Sequence, residues 1–216
     1  MKIQACLFDL DGVIVDTAKY HYQAWRRLAN SLGFDFSEKE NEQLKGVSRV
    51  RSLEIILEMG GVQKTEAERE ALAAQKNEWY LEFINEMTPA EILPGVVDFL
   101  DDLREAGIRI GLGSASKNAP RILDRIELTA YFEAIIDGNK TTRSKPDPEV
   151  FLKGAEELHI QPQHCVVFED APKGIDAALN GGFYAIGVGE PENLGHAHLV
   201  IPGFAGLDRS LFDRLS

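Results

Sequence analysis

The sequence has little cysteine, no excess of positive charge and no long apolar run, and each shortage excludes a class of protein. Two of its 216 residues are cysteines, Cys6 and Cys165, and both fall in apolar stretches, which favours buried thiols over a disulfide framework. The formal charge of −12 argues against general binding to nucleic acid or anionic membranes. No apolar run approaches the roughly 18 residues that span a bilayer, and no basic-then-apolar leader pattern is seen, so we expect a soluble, cytoplasmic protein.

What the sequence does contain is an alternation of short apolar strands with helical patterns. With 44% hydrophobic residues, the chain can build one core, or a core with a small additional domain. Val96, Phe99, Leu100 and Leu103 recur at helical spacing, and Gly107 follows as a stop signal. This alternation predicts an α/β fold with a doubly wound, parallel, Rossmann-like sheet. The six predicted strands cover residues 5–8, 108–113, 134–136, 165–168, 185–188 and 199–201.

Residues 17–87 interrupt this alternation, because they hold no convincing strand. Three amphipathic helices are predicted there, over residues 17–32, over residues 48–59 and from Thr65 onward. Thr65 and Glu68 have the spacing of a capping box at the start of the third helix. We therefore expect a core domain of residues 1–16 and 88–216, with an inserted all-helical cap domain of residues 17–87.

Polar side chains follow the first four predicted strands. In open parallel sheets, ligands bind outside the carboxyl ends of the strands, so these side chains are expected to converge. Four converging carboxylates call for a divalent cation, and Mg²⁺ prefers oxygen ligands that it shares with a phosphate. In strand order, the residues concerned are Asp9 and Asp11, then 114–118, then Lys145, then Glu169 and Asp170.

These residue types indicate phosphoryl transfer. A carboxylate can attack phosphorus and form an aspartyl phosphate, which is a known form of covalent catalysis. Ser114, the amides beside it and Lys145 could hold the phosphoryl oxygens. The second aspartate, Asp11, is two residues from Asp9 and could handle the proton of the leaving or attacking oxygen.

Four motifs carry a resemblance that covers essentially the whole chain. "FDLDGV", "SAS", "SKPDP" and "FEDAPKG", in that order, resemble the haloacid dehalogenase superfamily of phosphotransferases. The resemblance implies that Asp9 is the nucleophile and Asp11 the general acid and base. It further implies that Mg²⁺ is held by Asp9, the main-chain carbonyl of Asp11, Asp170 and Glu169.

The predicted cap narrows the resemblance to one branch of that superfamily. "DTAKYHYQAW", "NEQLKGVSR" and "SASKN" look like the β-phosphoglucomutases, which interconvert β-glucose 1-phosphate and glucose 6-phosphate through the 1,6-bisphosphate. The bisphosphate must turn end for end, so a second anion site is needed for the phosphate that is not transferred. The resemblance assigns Arg49, Ser116, Lys117 and Asn118 to it, and arginine suits the role because its planar fork grips two phosphate oxygens.

The same resemblance assigns further residues to the site. Thr17 positions the general acid, and Lys76 works beside His21. The remaining predicted substrate-binding residues are Trp25, Lys45, Gly46, Val47, Ser48 and Ala115. Sugar phosphates are the expected partners, with no nucleic acid or membrane, and the protein is expected to be a monomer.

Other interpretations of these residues remain open from sequence alone. A capped sugar-phosphate phosphatase shares every core residue, because water then replaces the second sugar hydroxyl as acceptor. A receiver domain also phosphorylates an aspartate on a parallel sheet, and a phosphonate hydrolase would need a Schiff-base lysine in the cap. His21 could pack against Trp25 one turn on, and Lys45 with Arg49 could form a solvated face.

Overall fold

The six strands form one parallel sheet in the computed structural model, which describes residues 2–44 and 47–215. Their order across the sheet is β3-β2-β1-β4-β5-β6, so the chain reverses direction of winding beside β1, which lies between β2 and β4. All six predicted strands are confirmed, and their ends differ from the prediction by one residue at most. The strands are β1 (Ala5–Phe8), β2 (Arg109–Gly113), β3 (Ala134–Ile136), β4 (Cys165–Glu169), β5 (Tyr184–Val188) and β6 (Leu199–Ile201).

Helices cover both faces of this sheet. The predicted apolar stripe of the first of them is confirmed, since Val96, Phe99, Leu100 and Leu103 are all buried. Burying each of these side chains contributes roughly 1.5–3 kcal/mol to stability, and this free energy holds the helix against the sheet. The α-helices that follow the insert are α5 (Val96–Glu105), α6 (Ala119–Arg125), α7 (Glu149–Glu157), α8 (Pro172–Asn180) and α9 (Pro191–Leu194).

Two apolar clusters lie on opposite faces of the sheet. Phe8 of β1 stacks on Phe168 of β4 with ring centroids 4.7 Å apart, and this pair belongs to the first cluster. Cys6 belongs to the same cluster, whereas Cys165 belongs to the second. Both thiols are free and buried, as the sequence predicts.

The described part of residues 17–87 holds helices and no strand, so the predicted helical insert is confirmed. Its α-helices are α1 (Ala18–Ser31), α2 (Glu38–Asn41), α3 (Arg49–Met59) and α4 (Glu66–Asn85), which together we call the helical cap. Thr65 and Glu68 form the predicted capping box of α4. Helix α2 was not predicted, although Ser37 and Glu40 form a capping box there, because four residues are too few to show a helical period.

The helical cap is packed partly on itself and partly on the core. Trp25, Phe36 and Ile56 belong to an apolar cluster of its own. Tyr80 and Ile84 of α4 instead join the cluster on the sheet. No helix among the described residues is long and apolar enough to cross a membrane.

Candidate active site

The carboxyl ends of the strands face the helical cap across a cavity of about 1140 Å³. Because β1 lies between β2 and β4, the residues that follow these three strands meet at its floor. Two predicted residues, Thr17 and Glu169, are set back from the wall and contact residues that line it. Lys45 and Gly46 lie outside the described residues. The predicted residues that line the cavity are Asp9, Asp11, His21, Trp25, Val47, Ser48, Arg49, Lys76, Ser114, Ala115, Ser116, Lys117, Asn118, Lys145 and Asp170.

Lys145 joins the carboxylates that follow two neighbouring strands. Its Nζ donates to Asp9 Oδ1 at 2.6 Å and to Glu169 Oε1, and all three residues are buried. Burial by itself would lower the pKa of Lys145, but the negative charges of Asp9 and Glu169 outweigh it and raise that pKa above its ordinary value. Lys145 is therefore a fixed cation at the floor of the cavity.

Glu169 is held on its other side by the start of α8. Its second oxygen, Oε2, accepts from the Ala171 backbone N–H at 2.9 Å. A Cβ on Gly174 would come within 1.9 Å of the Glu169 carboxylate, so only glycine lets the helix approach this closely. Both oxygens of Glu169 thus have partners from the protein itself.

Asp11 differs from Asp9 in its surroundings. Thr17 Oγ1 donates to Asp11 Oδ1. Burial, followed by the negative charge of Asp9, raises the pKa of Asp11 from about 3.8 to about 8. Asp11 therefore carries a proton at neutral pH, whereas Asp9 is paired with the lysine cation.

Asp170 lies against the loop that follows β1. A Cβ on Gly12 would come within 2.3 Å of Asp170 Oδ2, so glycine is needed where this carboxylate approaches the backbone. Gly12 also has a φ of +80°, which favours glycine for a second reason. Asp170 and Asp9 line the same cavity, although the described residues contain no ready-made cluster of three His, Cys, Asp or Glu side chains for a metal.

The loop of residues 114–118 after β2 is held in its conformation by its own hydroxyls. Ser114 Oγ accepts from the Ser116 N–H at 3.1 Å, and Ser116 Oγ accepts from the Asn118 N–H at 3.2 Å. The N–H of Gly138 donates to the Ser116 carbonyl at 3.2 Å. Lys117 is exposed at the mouth of the cavity. The loop therefore offers hydroxyl, amide and ammonium donors to an anion.

On the cap side, buried Lys76 pairs with half-buried His21 and lies between two aromatic rings. Lys76 Nζ donates to Nδ1 of His21 at 2.9 Å, and it lies 4.5 Å from the ring centroids of both Trp25 and Tyr80. Burial, then the positive charges of Lys76 and Arg49, lower the pKa of His21 well below its ordinary value. Burial and Arg49 likewise lower the pKa of Lys76. This wall of the cavity favours a neutral sugar ring and an added negative charge.

Arg49 begins helix α3 and extends the positive charge of this wall. Ser48 accepts from the Arg51 backbone N–H at 3.4 Å as the N-cap, which sets Arg49 in the first turn. Burial lowers the pKa of Arg49 below its ordinary value, although the arginine guanidinium stays charged at neutral pH. Arg49 has no ion pair within residues 2–44 and 47–215.

The family to which such a site belongs is decided by comparison with known proteins. The family model described as haloacid dehalogenase-like hydrolase matches residues 3–182. The chain belongs to the haloacid dehalogenase-like hydrolases.

Among members of this hydrolase family, the chain is similar to enzymes of two kinds. It is 43% identical to a beta-phosphoglucomutase of Bacillus subtilis, over 92% of this chain and 89% of the relative. A crystal structure of a beta-phosphoglucomutase from Clostridium difficile superposes with a TM-score of 0.95 and 44% identity, covering 99% and 96% of the two chains. A phosphorylated carbohydrates phosphatase of Thermotoga maritima is 31% identical, over 85% of this chain and 84% of the relative. The resemblance to the haloacid dehalogenase superfamily and its β-phosphoglucomutase branch is thus confirmed.

Some residues of this site were missed by sequence reasoning. Tyr80 stacks on the His21 ring with centroids 4.1 Å apart, but its place in an apolar stripe predicted only packing. Asn41 and Ser52 are buried polar residues that line the cavity. Asn41 was detectable, because it opens the "NEQLKGVSR" motif. Asn77 carried no such signal, since its contact with Asn118 joins positions 41 residues apart.

Proposed function

We propose that this protein is a β-phosphoglucomutase that interconverts β-glucose 1-phosphate and glucose 6-phosphate through an aspartyl-phosphate enzyme and the 1,6-bisphosphate. The observation that carries the proposal is that two sets of anion-binding groups line one cavity. Asp9 and Lys145 lie on its floor, and Arg49 extends from the helical cap. The similarity at 43% identity to a beta-phosphoglucomutase supports the same conclusion.

The chemistry begins at Asp9. Its carboxylate attacks the phosphorus of the bisphosphate, a P–O bond forms to Asp9, and the bond from phosphorus to the sugar oxygen breaks. Asp11, protonated at neutral pH, donates its proton to the leaving sugar oxygen. In the second half-reaction Asp11 accepts the proton of the attacking sugar hydroxyl, and the phosphoryl group returns from Asp9 to sugar. Lys145 and Ser114 hold the oxygens of the transferring group and balance their negative charge.

The residues at the floor fit Mg²⁺. The Asp9 and Asp170 carboxylates and the Asp11 carbonyl are all oxygen donors, and Gly12 provides the close approach that Asp170 needs. We propose that these three residues hold the ion, which when bound would withdraw charge from the phosphoryl oxygens. Metal binding by Glu169, which was also predicted as a ligand, remains a prediction. Its contacts with Lys145 and Ala171 support a role in orienting the lysine.

The phosphate that is not transferred needs a second site, which we assign to Arg49 and to the loop of residues 114–118. Arg49 has no counter-ion in the described part of the chain, and the loop offers hydroxyl and amide donors. Lys76, His21 and Trp25 face the sugar from the cap side. A bisphosphate that has rotated end for end can then rebind with either of its two phosphates at Asp9.

The division into domains and the setting of the protein are further proposals. We infer a core domain of residues 1–16 and 88–216 and a cap domain of residues 17–87, which the separate apolar cluster of the helical cap supports. We also propose that the enzyme is a cytoplasmic monomer that acts on small sugar phosphates.

The decisive experiment supplies purified protein with Mg²⁺, β-glucose 1-phosphate and a trace of β-glucose 1,6-bisphosphate. We expect glucose 6-phosphate to form with little inorganic phosphate. Rapid phosphate release without glucose 6-phosphate would contradict the mutase and favour the phosphatase, which the comparisons do not favour. A panel of other β-hexose 1-phosphates would then define the preferred sugar.

A further inference from the structure

One hydrogen bond joins the loop of residues 114–118, at the wall of the cavity, to helix α4 of the helical cap. Asn118 Nδ2 donates to Asn77 Oδ1 at 2.9 Å. Asn77 lies on α4 directly after Lys76, and Asn118 lies at the start of α6. Both asparagines are half-buried. The bond therefore joins the cap helix that faces the sugar to the core loop that faces the phosphate.

The rest of the loop is fixed without help from the helical cap. Ser114 and Ser116 hydroxyls accept from the loop's own backbone, and Asn139 Nδ2 donates to the Lys117 carbonyl at 3.0 Å. A Cβ on Gly138 would come within 2.4 Å of the Ala115 carbonyl oxygen, so the loop is closely packed from below. These contacts do not fix the direction of the Asn118 side-chain amide.

Asn77 sets that direction. A side-chain amide has two N–H donors and one carbonyl oxygen, and only the N–H side is attractive to an anion. The Asn77 oxygen accepts one N–H of Asn118, a residue that lines the cavity, and this leaves the second N–H of the same nitrogen for another acceptor.

We propose that Asn77 is a positioning residue that acts through Asn118: it orients the Asn118 amide toward the distal phosphate, and only when the helical cap is closed on the core. This inference rests on the proposed function, in which Asn118 binds the phosphate that is not transferred. Since Asn77 belongs to the helical cap and Asn118 to the core, separating the cap from the core breaks the bond. Closure and binding of the distal phosphate are thereby coupled, which favours a bisphosphate over a substrate with one phosphate.

The test compares Asn77→Ala with Asn85→Ala, a matched control on the same helix whose side chain is exposed. Mutase turnover of β-glucose 1-phosphate with the bisphosphate primer is measured beside hydrolysis of p-nitrophenyl phosphate, which has no distal phosphate. For Asn77→Ala we expect kcat/KM of the mutase to fall by about 2- to 10-fold, the range of one neutral hydrogen bond. The phosphate released per mutase turnover should rise by a similar factor. Hydrolysis of p-nitrophenyl phosphate, and every activity of Asn85→Ala, should stay unchanged.

A double-mutant cycle with Asn118→Ala tests whether Asn77 acts through Asn118. Once Asn118 is truncated, adding Asn77→Ala should cause no further loss of mutase activity. Equal losses in both assays would show a merely structural role, and equal losses with and without Asn118 would overturn the coupling. If the wild type released phosphate and formed no glucose 6-phosphate, the proposed function would fail. The same cycle on hydrolysis of the bisphosphate would still decide the role of Asn77.

Discussion

At the scale of single residues, Lys145 balances the charge of the site. Two carboxylates, Asp9 and Glu169, end neighbouring strands, and both are buried. Their mutual repulsion and desolvation would be costly without a cation between them. Lys145 contacts both, so the same side chain that balances the resting site can also hold phosphoryl oxygens during transfer.

Replacing this lysine should reveal the electrostatic cost. We expect Lys145→Ala to lower the free energy of unfolding by about 3–5 kcal/mol in Mg²⁺-free buffer, because it leaves two buried carboxylates without a cation. Urea denaturation measures the loss. The control is Lys140→Ala, which removes an exposed ion pair with Glu157 and should cost no more than about 1 kcal/mol. Equal losses in the two variants would contradict the balancing role.

Arg49 is the residue whose removal best separates the mutase from simple hydrolysis. For Arg49→Ala we expect mutase kcat/KM to fall by about 10- to 100-fold, the range of a lost charge-assisted contact to phosphate, while hydrolysis of p-nitrophenyl phosphate stays within about 2-fold. Steady-state assays of both reactions measure the difference. Arg51→Ala, two residues along α3 and exposed beside Glu54, is the control. A uniform loss in both reactions would argue against a distal phosphate site at Arg49.

At the scale of elements, helix α7 anchors the segment that carries Lys145. Glu149 in its first turn is buried and accepts hydrogen bonds from the backbone N–H groups of Thr142 and Arg143, at 3.0 and 2.7 Å. Lys153, one turn on, pairs with it at 2.7 Å. These contacts, the Lys153 bond first, lower the pKa of Glu149 from 4.5 to about 2.

The low pKa of Glu149 predicts a pH-dependent contribution to stability. The hydrogen bonds of the folded state stabilise the carboxylate form of Glu149. Their contribution to the free energy of unfolding is therefore present in full above about pH 4.5 and disappears as the pH falls toward 2. We expect Glu149→Gln to lower the free energy of unfolding by about 1–3 kcal/mol at pH 7 and by almost nothing near pH 2. Denaturation at a series of pH values tests this, with exposed Glu156→Gln on the same helix as control. A loss independent of pH would contradict the assignment.

At the scale of the whole molecule, the sheet and the helical cap meet around one cavity and are also tied near the point where the chain crosses between them. Glu91 accepts from Lys19 and from the Tyr20 hydroxyl, both at 2.8 Å, and so joins α1 to the segment that returns to the core. Arg125 of α6 donates to the Met87 carbonyl at 3.2 Å. Together with the Asn77–Asn118 bond between α4 and the start of α6, these contacts connect the helical cap to the core beside the cavity.

The proposed metal links the two strand ends at this cavity, so its removal should abolish function. We expect chelation with EDTA to reduce mutase turnover to background and added Mg²⁺ to restore it. Asp170→Asn should raise the Mg²⁺ concentration for half-maximal activity by about 10-fold or more, as loss of one charged ligand requires. Asp176→Asn, an exposed position on α8 that pairs with His196, is the control. Full activity in EDTA would contradict the metal assignment.

Local pattern alone was enough for much of this protein. Each strand is a short apolar run, and its burial on both faces leaves a signal in the residues themselves. The capping box at Thr65 is equally local, because its two partners are three residues apart. The four motifs that end the strands likewise revealed the family, since each motif lies within a few consecutive residues.

Tertiary structure decided which of those groups act together. Lys145 reaches Asp9 across 136 residues of chain, and Lys76 reaches His21 across 55. The sheet edge predicted that Asp9 and Lys145 converge, and the family resemblance predicted that Lys76 works beside His21, but neither specified which atoms are in contact. The raised pKa of Asp11 also depends on packing, because burial and the nearby charge of Asp9, rather than residue type, produce it. The sequence by itself determined the elements and the chemistry available, whereas only the folded chain determined which atoms meet, because those contacts arise from packing between distant segments.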